Sequence, residues 1–293
     1  MTTIGTPLPF EGHDPQPSLV RAFRANKLSS IGLVLFLAVV LIAAAAPLLT
    51  VYDPFVQDVT HKLAGPSAAH IFGTDEYGRD IWARMIYGAR VSLLIGLAST
   101  AVAIVVGSLI GVVAGWYGGR LDAFAMQVMD VLLAFPSLIL GMIVVAMLGP
   151  SLANIILAIA LTSIPAFARI ARAPTIALKG RDFIEACRSL GFSTPRILVR
   201  HVLPNIFAEI LVMGSLWLAN AIRTEASLAF IGLGLRPPTP TWGGMIREGF
   251  DNILDSPWLA VVPGTAVLIV IFSLNLIGDG LRDAVDPKLK SGE

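Results

Sequence analysis

The sequence predicts an all-α integral membrane protein with six transmembrane helices, and three observations carry that prediction. Of 293 residues, 55% are hydrophobic and 14% charged, against roughly 25% charged in a soluble domain. Too few polar side chains remain to cover a water-soluble globule, so much of the solvent must be lipid. The apolar residues gather into runs close to or above the roughly 20 residues that cross a bilayer as a helix. None shows the alternation over roughly ten residues that marks a membrane barrel strand.

Residues 1–27 form a polar tail with Pro7, Pro9, Pro15 and Pro17, ending in Arg21, Arg24 and Lys27. Residues 28–50 are the first span. Ala44 and Ala46 resemble a signal-peptide cleavage site, but the tail is long and the apolar run exceeds an ordinary signal core, which favours an uncleaved helix. Residues 51–90 read as an extracytoplasmic loop. The second span, 91–116, places Ser99, Ala103, Gly107, Gly111 and Gly115 at intervals of four, a small-residue face that another helix backbone can approach. That face is read as packing within the subunit. The third span is expected near 124–148. After the tight turn Gly149-Pro150, the fourth is expected near 152–170, with Pro165 kinking it or ending it early. A polar loop at 171–203, a fifth span near 204–224, an outer segment 225–257 and a sixth span near 258–279 complete the series. The domain reading is a five-helix core at 91–281 carrying the 171–203 loop, closed by a tail at 282–293.

Charge sets the expected orientation, because segments left on the cytoplasmic side carry more Lys and Arg. Of the 21 basic residues, fourteen fall on the side of the termini, six on the other, and Arg223 lies at a span end. Both termini and the 171–203 loop are therefore expected in the cytoplasm.

The chemistry absent from the sequence narrows the function. There is no Gly-Lys pair, hence no phosphate-binding loop, and no His-Glu-x-x-His or Gly-x-Ser-x-Gly motif. No catalytic residue, cofactor or metal site is expected. The basic residues form no stripe of the kind that nucleic acid requires. Within the spans, Asp130 and Glu209 are candidates for an ion relay, since buried ionisable groups in lipid tend to be functional. The plainer reading places them near the interface or paired with Arg169 or Arg172.

One polar stretch stands out, Arg181 to Pro204. Residues 182–190 are helix formers, and Gly191 can end that helix. Ala186 and Cys187 offer a low face to a partner groove, with Glu185 and the arginines able to form charge-assisted contacts. Pro204 suits the first turn of the fifth span. The sequence Glu185-Ala186-Cys187, then Gly191, then His201-Val202-Leu203-Pro204 resembles the EAA loop of bacterial ABC importer permeases. That family's pattern is Glu-Ala-Ala, three residues, Gly, nine residues, Ile, one residue, Leu-Pro. Cys187 stands where the pattern has Ala, and His201 where it has Ile. Three further stretches resemble the C-type permease of dipeptide, oligopeptide and nickel importers. They are Phe72-Gly73-Thr74-Asp75 through Arg90, Phe230 through Gly234 with Pro237, Pro238 and Trp242-Gly243, and Gly278-Asp279-Gly280 through Asp286-Pro287.

The resemblance implies a MetI-like fold and transport by alternating access. It implies that Glu185, Ala186, Cys187, Gly191, Leu203 and Pro204 couple the membrane helices to an ATPase. The implied partners are a homologous second permease, two ATP-binding subunits and an extracytoplasmic substrate-binding protein, which Pro237, Pro238 and Trp242 are placed to contact. The implied cargo is a di- or oligopeptide, with nickel chelates, opines and glutathione-like compounds in the same family. The residues also have local readings: Gly73 and Gly78 permit turns, and Asp75 and Asp80 cap helices. The alternatives to a permease are an ion-coupled secondary transporter and a non-transporting membrane subunit.

Overall fold

The computed structural model describes residues 27–285. Most of the expected N-terminal tail, and residues 286–293, lie outside the described residues. In order, the helices are α1 (Lys27–Ala44) and α2 (Ala46–Leu49), α3 (Ile81–Tyr117), α4 (Gly119–Leu133) and α5 (Ser137–Leu148), and α6 (Leu152–Lys179). They continue with α7 (Asp182–Ser189), α8 (Thr194–Ile197) and α9 (Leu203–Leu228), then α10 (Trp242–Asp251) and α11 (Trp258–Val285). Five single helices are long and apolar enough to cross a membrane, and the bent pair α4–α5 supplies a sixth crossing. The chain therefore has two ends. One carries α7 and α8, and the other carries α10 and residues 50–80.

The second crossing starts ten residues earlier than the sequence reading placed it. Asp80 accepts the Ala83 N–H at 2.7 Å and caps α3 at Ile81. Arg84 and Arg90 made the first turns read as loop, yet Ile81, Ala83, Arg84, Ile86 and Ala89 are all buried. The third crossing is not one helix. It bends by 90° between Leu133 and Ser137, at Pro136, which cannot donate a helical hydrogen bond and instead precedes the first turn of α5. The fourth crossing neither stops nor breaks at Pro165. Its helix continues through Pro165 and Pro174 to Lys179, so the polar loop begins nine residues later than expected.

The helix α6 packs on the small-residue face of α3. A Cβ at Gly107 would lie 2.6 Å from the Ile164 carbonyl, one at Gly115 would lie 2.9 Å from the Arg172 carbonyl, and one at Gly111 would overlap the Ala168 carbonyl. Ser99, Ala103, Gly107, Gly111 and Gly115 are buried within the chain, as the packing reading expects. The first helix is docked in the same way: a Cβ on Gly32 of α1 would meet Leu276 Cβ of α11 at 2.6 Å.

Candidate functional site

The Arg181–Pro204 stretch is built as a short helix clamped to the bundle. Asp182 and Glu185 lie in the first turn of α7 and Arg188 in the last, each with the sign that favours the helix dipole. Gly191, at φ 78°, closes it. The Phe192 N–H donates to the Cys187 carbonyl at 3.0 Å and the Gly191 N–H to the Arg188 carbonyl at 2.9 Å. Those two bonds are the Schellman pattern, which requires a left-handed residue where Gly191 sits.

Ile184 is fully buried and Cys187 nearly so, and both belong to the core formed by Phe167, Ile197, Val202 and Ile206. Phe183, Glu185, Ala186 and Leu190 face outward. The expected low face of Ala186 and Cys187 is thus corrected: the two residues are adjacent in a helix and point about 100° apart, so only Ala186 is outside. Cys187 Sγ lies 3.8 Å from His201 Nε2, and His201 stacks on Phe192 with centroids 6.2 Å apart. The two residues that depart from the EAA pattern therefore touch each other. The Arg188 guanidinium lies 4.8 Å from the Trp116 ring centroid, tying α7 to the end of α3.

From α8 the chain does not pause at Leu203-Pro204. A wide turn, Leu198–Val202, joins α8 to α9, and the helical run extends from Thr194 to Leu233. Pro204 has no N–H to offer the Arg200 carbonyl, and its ring crowds that carbonyl; widening the turn relieves both problems. Asp130 pairs with Arg169, the pairing that the plainer sequence reading expects. Asp122 pairs with Arg172 through two bonds of 2.5 Å. Glu209 is exposed and makes no salt bridge among the described residues.

At the other end, a buried ion cluster fixes the start of α3 to α10. Asp75 accepts from Arg79 Nε at 2.6 Å and also from Arg84, while Arg84 grips Glu248 in two bonds of 2.6 and 3.1 Å. Asp75, Arg79 and Arg84 are almost wholly buried. Asp75 also accepts the backbone N–H of Tyr77 and Arg79, so it closes a turn and not the helix cap expected of it, while Gly73 and Gly78 take the positive φ of the expected turns. Buried charges persist only when paired and hydrogen-bonded in this way.

A second buried carboxylate escaped the sequence reading. Glu225 is 2% exposed, lies close to the hydroxyls of Ser92 and Thr241, and its Oε2 has no hydrogen-bond partner among the described residues. Ser92 Oγ in turn accepts the Trp242 N–H, and Thr241 Oγ1 the Gly244 N–H, both at 3.1 Å. Two N–H groups at the start of α10 are thus held by hydroxyls that lie beside one buried acid. Because the fifth span was expected to end at 224, Glu225 was assigned to the outer segment. The apolar residues Leu228, Phe230 and Ile231 beyond it were the signal that the helix continues.

Pro237 and Pro238 are exposed, but Trp242 is not. It is 1% exposed, with its indole N–H donating to the Met85 carbonyl at 3.1 Å. The expectation that Trp242 meets a binding protein is corrected on that ground: the side chain supports the loop from beneath.

Two family models match the sequence. Residues 107–291 match the binding-protein-dependent transport system inner membrane component, and residues 18–66 match the N-terminal TM domain of oligopeptide transport permease C. The chain belongs to this permease family. It is therefore a multi-pass inner-membrane transport subunit of an ABC importer, working with ATP-binding and substrate-binding partners. The dipeptide transport system permease protein DppC of Alkalihalophilus pseudofirmus is 42% identical over 94% of this chain and 91% of its own. The glutathione transport system permease protein GsiD of Pectobacterium atrosepticum is 45% identical over 78% of this chain and 75% of its own. Among solved structures, a chain of the inward-facing MetNI methionine ABC transporter superposes with a TM-score of 0.57 at 16% identity. That match covers 70% of this chain and 98% of that one. It establishes the MetI-like permease fold.

Proposed function

We propose that this permease carries short peptides inward by alternating access, with α7 as the segment that its ATPase drives. The observation that carries this reading is the construction of α7. Ile184 and Cys187 anchor one face, Phe183, Glu185, Ala186 and Leu190 are offered outward, and the chain continues through α8 into α9. A push on α7 would therefore reach a membrane-crossing helix across only the short turn at 190–193. The Lys/Arg bias supports a cytoplasmic position for α7 and both termini. A homologous second permease, two ATP-binding subunits and an extracytoplasmic binding protein complete the assembly. Pro237 and Pro238 supply an exposed surface for that binding protein. The similarity to permeases named for dipeptide and glutathione transport supports a peptide cargo. The pairing of Asp130 and Asp122 with arginines weighs against an ion-coupled transporter.

The test is uptake of radiolabelled Ala-Ala by the assembled importer in proteoliposomes. Uptake is expected to need both ATP and the binding protein. Glu185→Lys and Gly191→Asp are each expected to slow it at least about tenfold, the rate equivalent of about 1.4 kcal/mol, with the protein still inserted. ATP-independent uptake by this chain alone, or normal uptake by both variants, would sink the reading.

A further inference from the structure

A cleft of about 490 Å³ opens at the α10 end, between the turn at Pro150, residues 229–241 and one face of α10. Its charged walls are Arg84, Arg236, Arg247, Glu248 and Asp251. They divide into two sets. Arg84 and Glu248 are spent on each other and on Asp75. The side chains of Arg236, Arg247 and Asp251 have no hydrogen bond or ion pair among the described residues. Two cations and one anion are thus left without partners in one concavity, above a floor where Arg84 is 2% exposed and its Nε has no hydrogen-bond partner among the described residues.

The placement of Arg247 is built into the fold. Gly232 breaks the end of the α9 run at φ 97°, and a Cβ there would overlap the Arg247 guanidinium, with Cζ 2.9 Å away. The guanidinium lies over a backbone that only glycine leaves open. Arg247 and Asp251 are four residues apart on α10, about 6 Å along the axis at 1.5 Å per residue. The charged ends of an extended dipeptide are separated by a similar roughly 6 Å, at about 3.3–3.6 Å per residue. A cleft of this size is also in the range of small-ligand sites.

We propose that this cleft is a seat for the termini of a short zwitterionic peptide entering from the binding protein. Arg247 and Arg236 take the C-terminal carboxylate, and Asp251 takes the N-terminal ammonium. Arginine suits the carboxylate because its forked donors can bind both oxygens. The inference rests on the peptide-import reading, and it adds to it a site on the permease itself.

The experiment measures saturation-transfer NMR between peptide and the complete importer in nanodiscs, with the binding protein left out. The probes are L-alanyl-L-alanine, its C-terminal amide and its N-acetyl form. The free dipeptide is expected to give a signal, and both blocked forms about tenfold less, as expected when a charge-assisted contact is lost. Arg247→Ala and Asp251→Asn are expected to reduce the signal comparably, while Arg247→Lys keeps part of it. Equal signals from Ala-Ala and its amide, an unchanged signal in Arg247→Ala, or no signal without the binding protein each overturn the seat. ATP-driven Ala-Ala uptake by the same importer moved into proteoliposomes, with binding protein restored, reports separately on the peptide reading. Uptake without a saturation-transfer signal removes the seat and leaves that reading standing.

Discussion

At the scale of single residues, Cys187 and His201 show how two departures from a pattern can be one feature. Each is awkward alone, a thiol for a methyl group and an imidazole for a branched alkyl chain. Folded, they meet at 3.8 Å, beneath the ring of Phe192. In the linear sequence they are 14 positions apart, and nothing in the spacing says that a helix, a Schellman turn and a wide turn will bring them together. We expect Cys187→Ala and His201→Ile to be non-additive. Each single change should destabilise the assembled importer by about 0.5–1 kcal/mol, with a coupling of about 0.5 kcal/mol or more between them. Thermal melts of the two single variants and the double variant test this, and additivity within about 0.3 kcal/mol would contradict it. Glu225 illustrates the opposite difficulty. Its polar neighbours Ser92 and Thr241 come from distant parts of the sequence, and no local periodicity announces them.

At the scale of helices, the sequence made the spans legible but misplaced their ends. The reason is common to α3 and α6: polar residues were taken as loop where the fold supplies them with partners. Arg84 finds Glu248 and Arg172 finds Asp122, so both helices run on past their apolar stretches, whereas α9 was cut short at 224 although apolar residues follow. Proline misled in both directions. Pro165 was expected to kink or end the fourth span, yet α6 runs on to Lys179, and Pro136, at the 90° bend of the third crossing, was passed over. The stripe on α3 was read correctly because its meaning is local: small residues every four positions make a flat face. We expect Gly111→Leu to fail where Gly264→Ala is tolerated. A side chain at 111 meets the α6 backbone, whereas a Cβ at 264, inside α11 and at ordinary helical φ, meets nothing within 4 Å. Overpacking of this kind costs about 1–3 kcal/mol or more. Fluorescence-detected size exclusion should show loss of folded protein for Gly111→Leu, and an unchanged profile would contradict the packing described for α3 and α6.

At the scale of the whole molecule, the proposed orientation makes a prediction that labelling can decide. Cys187 is the only cysteine, so a Cys187→Ala background accepts single new cysteines. With α7 in the cytoplasm, Leu190→Cys should react with a membrane-impermeant maleimide only in inside-out vesicles. Thr239→Cys should react only in right-side-out cells, since both positions are exposed in the folded chain. The reverse pattern would invert the topology and remove α7 from the reach of the ATPase.

The continuous helical run from Thr194 to Leu233 has a mechanical consequence. Its 40 residues make a rod about 60 Å long at 1.5 Å per residue, so tilting it by roughly 10° about its middle swings each end through about 5 Å. Wide turns sit near both ends, at Leu198–Val202 and Ala229–Leu233, where the ladder of bonds is loosest and bending is easiest. The shaft between them carries Glu225, packed close to Thr241 and Ser92, whose hydroxyl oxygens accept the Gly244 and Trp242 N–H at the start of α10. A stroke delivered beneath the membrane would thus reach the outer loop as a rotation of its own foundation.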